Sequence, residues 1–298
     1  EHGTPGQIMR VANSIRGHVI ALSMDNFGCH VMQKALDTVA EATKTEFINE
    51  MLVDIRKTIK HRYACHVWQK LFELRWVGDP PQIMQTVNRQ LRGHWADVAM
   101  GETGSLVVQN IFENCVEEDK RPCIDEILAN IGTITRGQFG NWCIQHICEN
   151  GSKIDRDRAI NHILNYAATY SIDQYGSKVI EKCLKVGGVN FIDRYLHEIV
   201  EREEGRVRSP LIDIAGDQYG NYLIQWIITN SPPQMCDLVI QQVRQHMVSL
   251  RGSKYGARVA VMCNNPASGV RPGRESAIRG NFANGNGFFG RGGPSFTR

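Results

Sequence analysis

Pairs of apolar residues recur along the chain at one fixed distance behind a glycine or alanine. Val31-Met32, Val67-Trp68, Val107-Val108, Cys143-Ile144, Val179-Ile180, Leu223-Ile224 and Val259-Ala260 follow Gly28, Ala64, Gly104, Gly140, Gly176, Gly220 and Gly256. The seven stretches align without gaps: NFGCHVMQK, RYACHVWQK, ETGSLVVQN, QFGNWCIQH, QYGSKVIEK, QYGNYLIQW and KYGARVAVM. Taking the residue after the Gly or Ala as a marker gives Cys29, Cys65, Ser105, Asn141, Ser177, Asn221 and Ala257, spaced 36, 40, 36, 36, 44 and 36 residues apart. A near-constant period with occasional insertions is the pattern of a solenoid, in which each supersecondary unit buries its apolar face on the next.

Each period predicts a pair of helices. The upstream one is amphipathic, with Ile124, Ile127, Leu128 and Ile131 at i, i+3, i+4 and i+7. Pro80-Pro81 and Pro232-Pro233 stand where first helical turns are expected, because those positions need no N–H donor. The second helix is expected to start near the Y/F-G step and to place the apolar pair in the core, where one unit stacks on the next.

With the marker as i, residues i and i+4 share a helix face and i+1 lies about 100° round from i. Each of the first six units thus presents a short side chain, a stacking candidate and then Gln or Glu: Gln33, Gln69, Gln109, Gln145, Glu181 and Gln225. A face that merely met solvent would not be so selective. Two of the stretches, IDQYGSKVIEKC from Ile172 and GDQYGNYLIQWI from Gly216, keep the D-Q-Y-G frame and an apolar pair while Ser-Lys…Glu becomes Asn-Tyr…Gln. A polar pair at i and i+4 can bond a flat polar edge while i+1 stacks on its face, which fits unpaired nucleobases. Asn with Gln supplies two amides suited to the mixed edge of uracil. Ser with Glu presents a carboxylate to the adjacent N–H groups of guanine, and Cys or Ser with Gln leaves room for a purine such as adenine.

Charge sharpens this reading. The chain carries +3, but five arginines and one glutamate put +4 into residues 269–298 and leave −1 for residues 1–268. That body lacks the basic bias of a protein that grips nucleic acid mainly through phosphate. No apolar run reaches the ~18 residues of a membrane helix, and EHGTPGQIMR has no signal-peptide core and reads as the start of an excised fragment. Nine cysteines without a C-x-x-C pair suggest reduced thiols and a cytoplasmic location. Cys143, His146 and Cys148, or His61 with Cys65, do not supply four convergent metal ligands. GETGS at 101–105 lacks the lysine of a phosphate loop, and His197-Glu198 lacks the second histidine of a zinc protease. No metal, cofactor, small-molecule substrate or catalytic role is expected.

On these motifs, residues 11–265 resemble a Pumilio/PUF-family RNA-binding domain, flanked by an N-terminal segment or cap at 1–10 and a Gly/Asn/Arg/Phe-rich tail at 266–298. The resemblance implies an all-α, right-handed α-solenoid crescent whose concave face binds single-stranded RNA antiparallel, one base per repeat. It implies base-edge roles for Cys29/Gln33, Cys65/Gln69, Ser105/Gln109, Asn141/Gln145, Ser177/Glu181 and Asn221/Gln225. It implies stacking roles for His30, His66, Leu106, Trp142, Lys178, Tyr222 and Arg258. Carried over rung by rung, the site is 5′-UGUAA(A/U)-3′, and partners are mRNA 3′ untranslated regions under control of stability or translation. Leu106 replaces the usual aromatic or Arg, so its rung is expected to hold its base less firmly. The unit at Ala257…Val261 has lost both edge-reading residues and resembles a C-terminal cap, leaving six reading units as in a fungal subgroup for which a shorter UAA(A/U) core suffices. The insertion at 200–210, VEREEGRVRSP, reads as an exposed loop and, by the resemblance, as a protein-contact site. The single RGG of the tail reads equally as an RNA contact or as a plain linker. The rival architecture is an armadillo- or HEAT-like protein scaffold, which explains the repeats but not the Gln/Glu ladder.

Overall fold

A computed structural model describes residues 3–201 and 208–264. It is all-helical among those residues. After a leading helix, Pro5–Ile15, the units follow one another in a constant order. The seven marker helices are Gly28–Thr38, Ala64–Glu73, Glu102–Asn114, Gly140–Asn150, Gly176–Val186, Asn221–Asn230 and Gly256–Asn264. Each packs on the next to form one continuous layer. The long helices that follow them, among them Glu117–Ala129, Lys153–Asn165 and Gly188–Val200, pack on one another as a second layer. The chain is therefore an α-solenoid of stacked helical repeats.

Each unit contains a third element that the pair of expected helices omits. A short helix precedes every marker helix: Val19–Ser23, Ile55–Thr58, Trp95–Met100, Ile131–Thr135, Ala167–Ser171, Pro210–Gly216 and Met247–Arg251. The expected amphipathic run through Ile131 is accordingly broken. Asn130 takes φ −109°, ψ 19° and ends the long helix, its Nδ2 donating to Glu126 O at 2.8 Å. The equivalent Tyr166 and His246 adopt nearly the same bridge-region angles. Ile131 thus opens the next unit and does not close the previous one.

The glycine of the Y/F-G step has a packing reason. A Cβ on Gly140 would lie 2.9 Å from Ile134 O, and one on Gly220 2.7 Å from Ile214 O. The short helix crosses the marker helix at backbone distance, and a side chain there would force the two apart. Just before it, Asp25, Asp173 and Asp217 accept two backbone N–H bonds each and fix the turn. Pro233 opens its helix as expected. Pro80-Pro81 does not, because that helix begins at Ile83, with Ile83 N donating to Pro81 O at 2.7 Å.

The apolar pairs are buried in six of the seven units. The exception is Val31, 46% exposed. In the fourth unit the first residue of the pair faces the preceding unit, the Cys143 thiol meeting Ser105 O at 3.7 Å. In the first unit, no earlier unit lies against that side among the described residues.

Candidate nucleic-acid interface

The three positions of each rung lie at different depths. Cys29, Cys65, Ser105, Asn141 and Asn221 are at most 1% exposed and Ser177 is 8% exposed. The i+4 tips, Gln33, Gln69, Gln109, Gln145, Glu181 and Gln225, are half-buried. At i+1, His30, His66, Trp142, Lys178 and Arg258 are exposed, while Leu106 and Tyr222 are partly covered. The sequence placed i and i+4 side by side on one open face. The marker instead sits buried at the foot of the rung.

At the foot, each marker spends its donor on its own helix entry. Ser105 Oγ donates to Glu102 O at 2.9 Å, and Cys29 and Cys65 offer their thiols to Asn26 O and Arg62 O at 3.3 and 3.2 Å. Asn141 Nδ2 donates to both Gly137 O and Gln138 O at 2.8 Å, and Asn221 repeats this with Asp217 O and Gln218 O. Both N–H groups of each asparagine amide are therefore engaged at the foot of the rung. Burial pushes the Cys65 thiol up to about 11, so it is a neutral group at physiological pH.

Above the foot, a hydrogen bond anchors the Gln tip. Gln145 Nε2 donates to Asn141 Oδ1 at 2.8 Å and Gln225 Nε2 to Asn221 Oδ1 at 2.7 Å. Gln33 and Gln109 donate instead to the marker carbonyls, Cys29 O and Ser105 O, at 3.2 and 3.0 Å. Gln69 Oε1 meets His66 Nδ1 at 3.3 Å. Where Nε2 is the anchor, Gln Oε1 and one N–H remain, a donor beside an acceptor that matches one mixed base edge. Carboxylate Glu181 has no donor of its own, and Lys185 Nζ lies 2.5 Å from its Oε1.

Beside the i+1 stacking positions stand the aromatics of the Y/F-G step, which the sequence showed only as a helix start. Phe139 meets Trp142 edge-on with centroids 6.1 Å apart, and Lys178 Nζ lies 5.6 Å from the Tyr175 ring centroid. Residues i−2 and i+1 share a face at helical spacing, which is the signal that could have found them. Cys143 is fully buried and Cys65 sits at a rung foot. Among the described residues, no three His, Cys, Asp or Glu side chains come together as a metal-binding group, and no helix is long and apolar enough to cross a membrane.

The profile of the Pumilio-family RNA binding repeat matches residues 18–52, 59–74, 94–128, 130–164, 166–200 and 211–244, more than half of the chain. The chain belongs to the Pumilio family. It is 61% identical over 262 residues to meiotic coiled-coil protein 2 of Schizosaccharomyces pombe, covering 88% of this chain and 37% of that protein. It is 44% identical over 268 residues to meiotic PUF family protein 1 of the same yeast, covering 90% and 46%. This Pumilio chain thus spans less than half the length of either relative. The solved structure of PUF-8 in complex with PBE-RNA superposes with a TM-score of 0.77 at 26% identity, covering 89% of this chain and 76% of that one. The matched Pumilio segments end at residue 244, before the marker Ala257.

Proposed function

We propose that this Pumilio chain is a sequence-specific single-stranded RNA reader that recognises 5′-UGUAA(A/U)-3′, or a shorter UAA(A/U) core, in mRNA 3′ untranslated regions. The observation that carries the reading is the repeated rung: an anchored, half-buried Gln or Glu beside a stacking position in six successive units. Asn141/Gln145 and Asn221/Gln225 take uracil and Ser177/Glu181 takes guanine. Ser105/Gln109 and Cys65/Gln69 take adenine, and Cys29/Gln33 takes adenine or uracil. Trp142, Tyr222, His30 and His66 stack on the bases, Lys178 and Leu106 cover theirs, and Arg258 covers the first. The unit at Ala257 is the C-terminal cap of a six-reader domain spanning 11–265.

The biological setting proposed is cytoplasmic control of mRNA stability or translation, with protein contacts at the 200–210 loop. Residues 202–207 of that loop, and the tail 266–298 with its RNA-contact motif, lie outside the described residues. The edge chemistry makes selection from a random RNA pool the direct test. Enrichment of UGUAA(A/U), or of UAA(A/U) alone, is expected. Enrichment without a U-A-A core, or none at all, would contradict the proposal.

A further inference from the structure

The first five marker helices are joined in succession by a zipper of polar pairs. Residue i+8 of one unit meets residue i+5 of the next: Asp37 with Lys70 at 2.6 Å, Glu73 with Asn110 at 3.2 Å, Glu113 with His146 at 3.2 Å and Glu149 with Lys182 at 2.8 Å. At the fifth unit the pattern inverts. Position i+8 becomes Lys185, and i+5 of the next unit becomes Trp226. Lys185 therefore has no place in the zipper. Its ammonium turns back one helical turn onto Glu181, with the lysine side chain 51% and the glutamate 26% exposed.

This is the rung whose tip cannot anchor itself. Elsewhere a Gln tip reaches the marker or, at Gln69, the neighbouring His66. Glu181 has only acceptors, and the Ser177 hydroxyl below it is directed to Gln174 O at 3.4 Å. A carboxylate has about four lone-pair sites, so it can hold Lys185 and still accept the two adjacent N–H donors of guanine. We propose that Lys185 is a positioning residue for guanine recognition, an ammonium clamp that holds the Glu181 carboxylate oriented in place of the anchor the other rungs possess. The proposal rests on the assignment of Ser177 and Glu181 to guanine.

The test compares the chain with Lys185→Met and Lys185→Arg variants on short RNAs of sequence UGUAAA and UAUAAA, differing only at the base assigned to this rung. The readout is the ratio of the two affinities, which a general loss of positive charge would leave unmoved. Lys185→Met is expected to lower guanine discrimination about two- to fivefold, the range an exposed charge pair supports, with Lys185→Arg close to the parent. Discrimination at the Asn141 and Asn221 rungs stays constant, and thermal melts coincide. A Lys185→Met ratio equal to or above that of the parent, or a loss that Lys185→Arg shares in full, overturns the clamp while leaving the guanine assignment standing. A parent protein with no guanine preference removes the assignment itself, and the clamp with it.

Discussion

Within a rung, the foot and the stacking position make separable demands. Asn141 is fully buried and donates to two backbone carbonyls, so Asn141→Ala removes two side-chain hydrogen bonds at the foot of the rung and should cost about 1–3 kcal/mol of stability. Trp142 is 36% exposed, and Trp142→Ala should leave the melting temperature unchanged while weakening RNA binding by about 1–3 kcal/mol. Thermal unfolding and fluorescence anisotropy on the same two variants check both. A loss of stability in Trp142→Ala equal to that in Asn141→Ala would mean the depth ordering is wrong. The identities of the rung residues were legible in the sequence because they repeat. Their depth was not, because helical spacing fixes the direction around a helix and says nothing of how far a neighbouring unit overlaps it.

Between elements, polar pairs set how one unit sits on the next. Burial on its own would raise the Asp155 carboxyl, yet the bidentate Arg121 guanidinium and the Ser152 hydroxyl hold it below the ordinary carboxylate value. A folded-state value lower than the unfolded one stabilises above the unfolded value and loses that contribution as pH falls through the folded one. Asp155→Asn should therefore cost about 1–3 kcal/mol at neutral pH, less than a fully buried pair because Arg121 is partly exposed. Its difference from the parent should shrink below pH ~4. Urea titrations at several pH values measure this, and a gap that widens in acid would refute it. The sequence showed the long helices such as Glu117–Ala129, through the apolar spacing of Ile124, Ile127 and Leu128. It did not show Ile131–Thr135 or Ala167–Ser171, whose five residues each are too few for a period to appear.

Across the whole molecule, the zipper joins the first five units and stops at the fifth, where position i+8 is Lys185 and i+5 of the next unit is Trp226. A solenoid's stability is close to a sum of unit and interface terms, so the weakest junction should open first. In hydrogen exchange, amides of Asn221–Asn230 should lose protection before those of Gly140–Asn150, and the reverse order would contradict the zipper's role. Residues 1–268 carry −1 overall, so RNA binding should depend shallowly on salt, with a log–log slope smaller in magnitude than about 2. The repeat, its period and its six rungs could be read from the chain because a solenoid writes one solution seven times. The zipper escaped notice because its partners lie about one period apart and hold no fixed residue type. The central claim is that each rung's tips choose one base. Replacing Asn141→Ser together with Gln145→Glu copies the fifth rung into the fourth, and affinities for RNAs varying only at the third base report the outcome. The account predicts a change of preference from uracil to guanine at that base alone, and a preference that stays with uracil would contradict it.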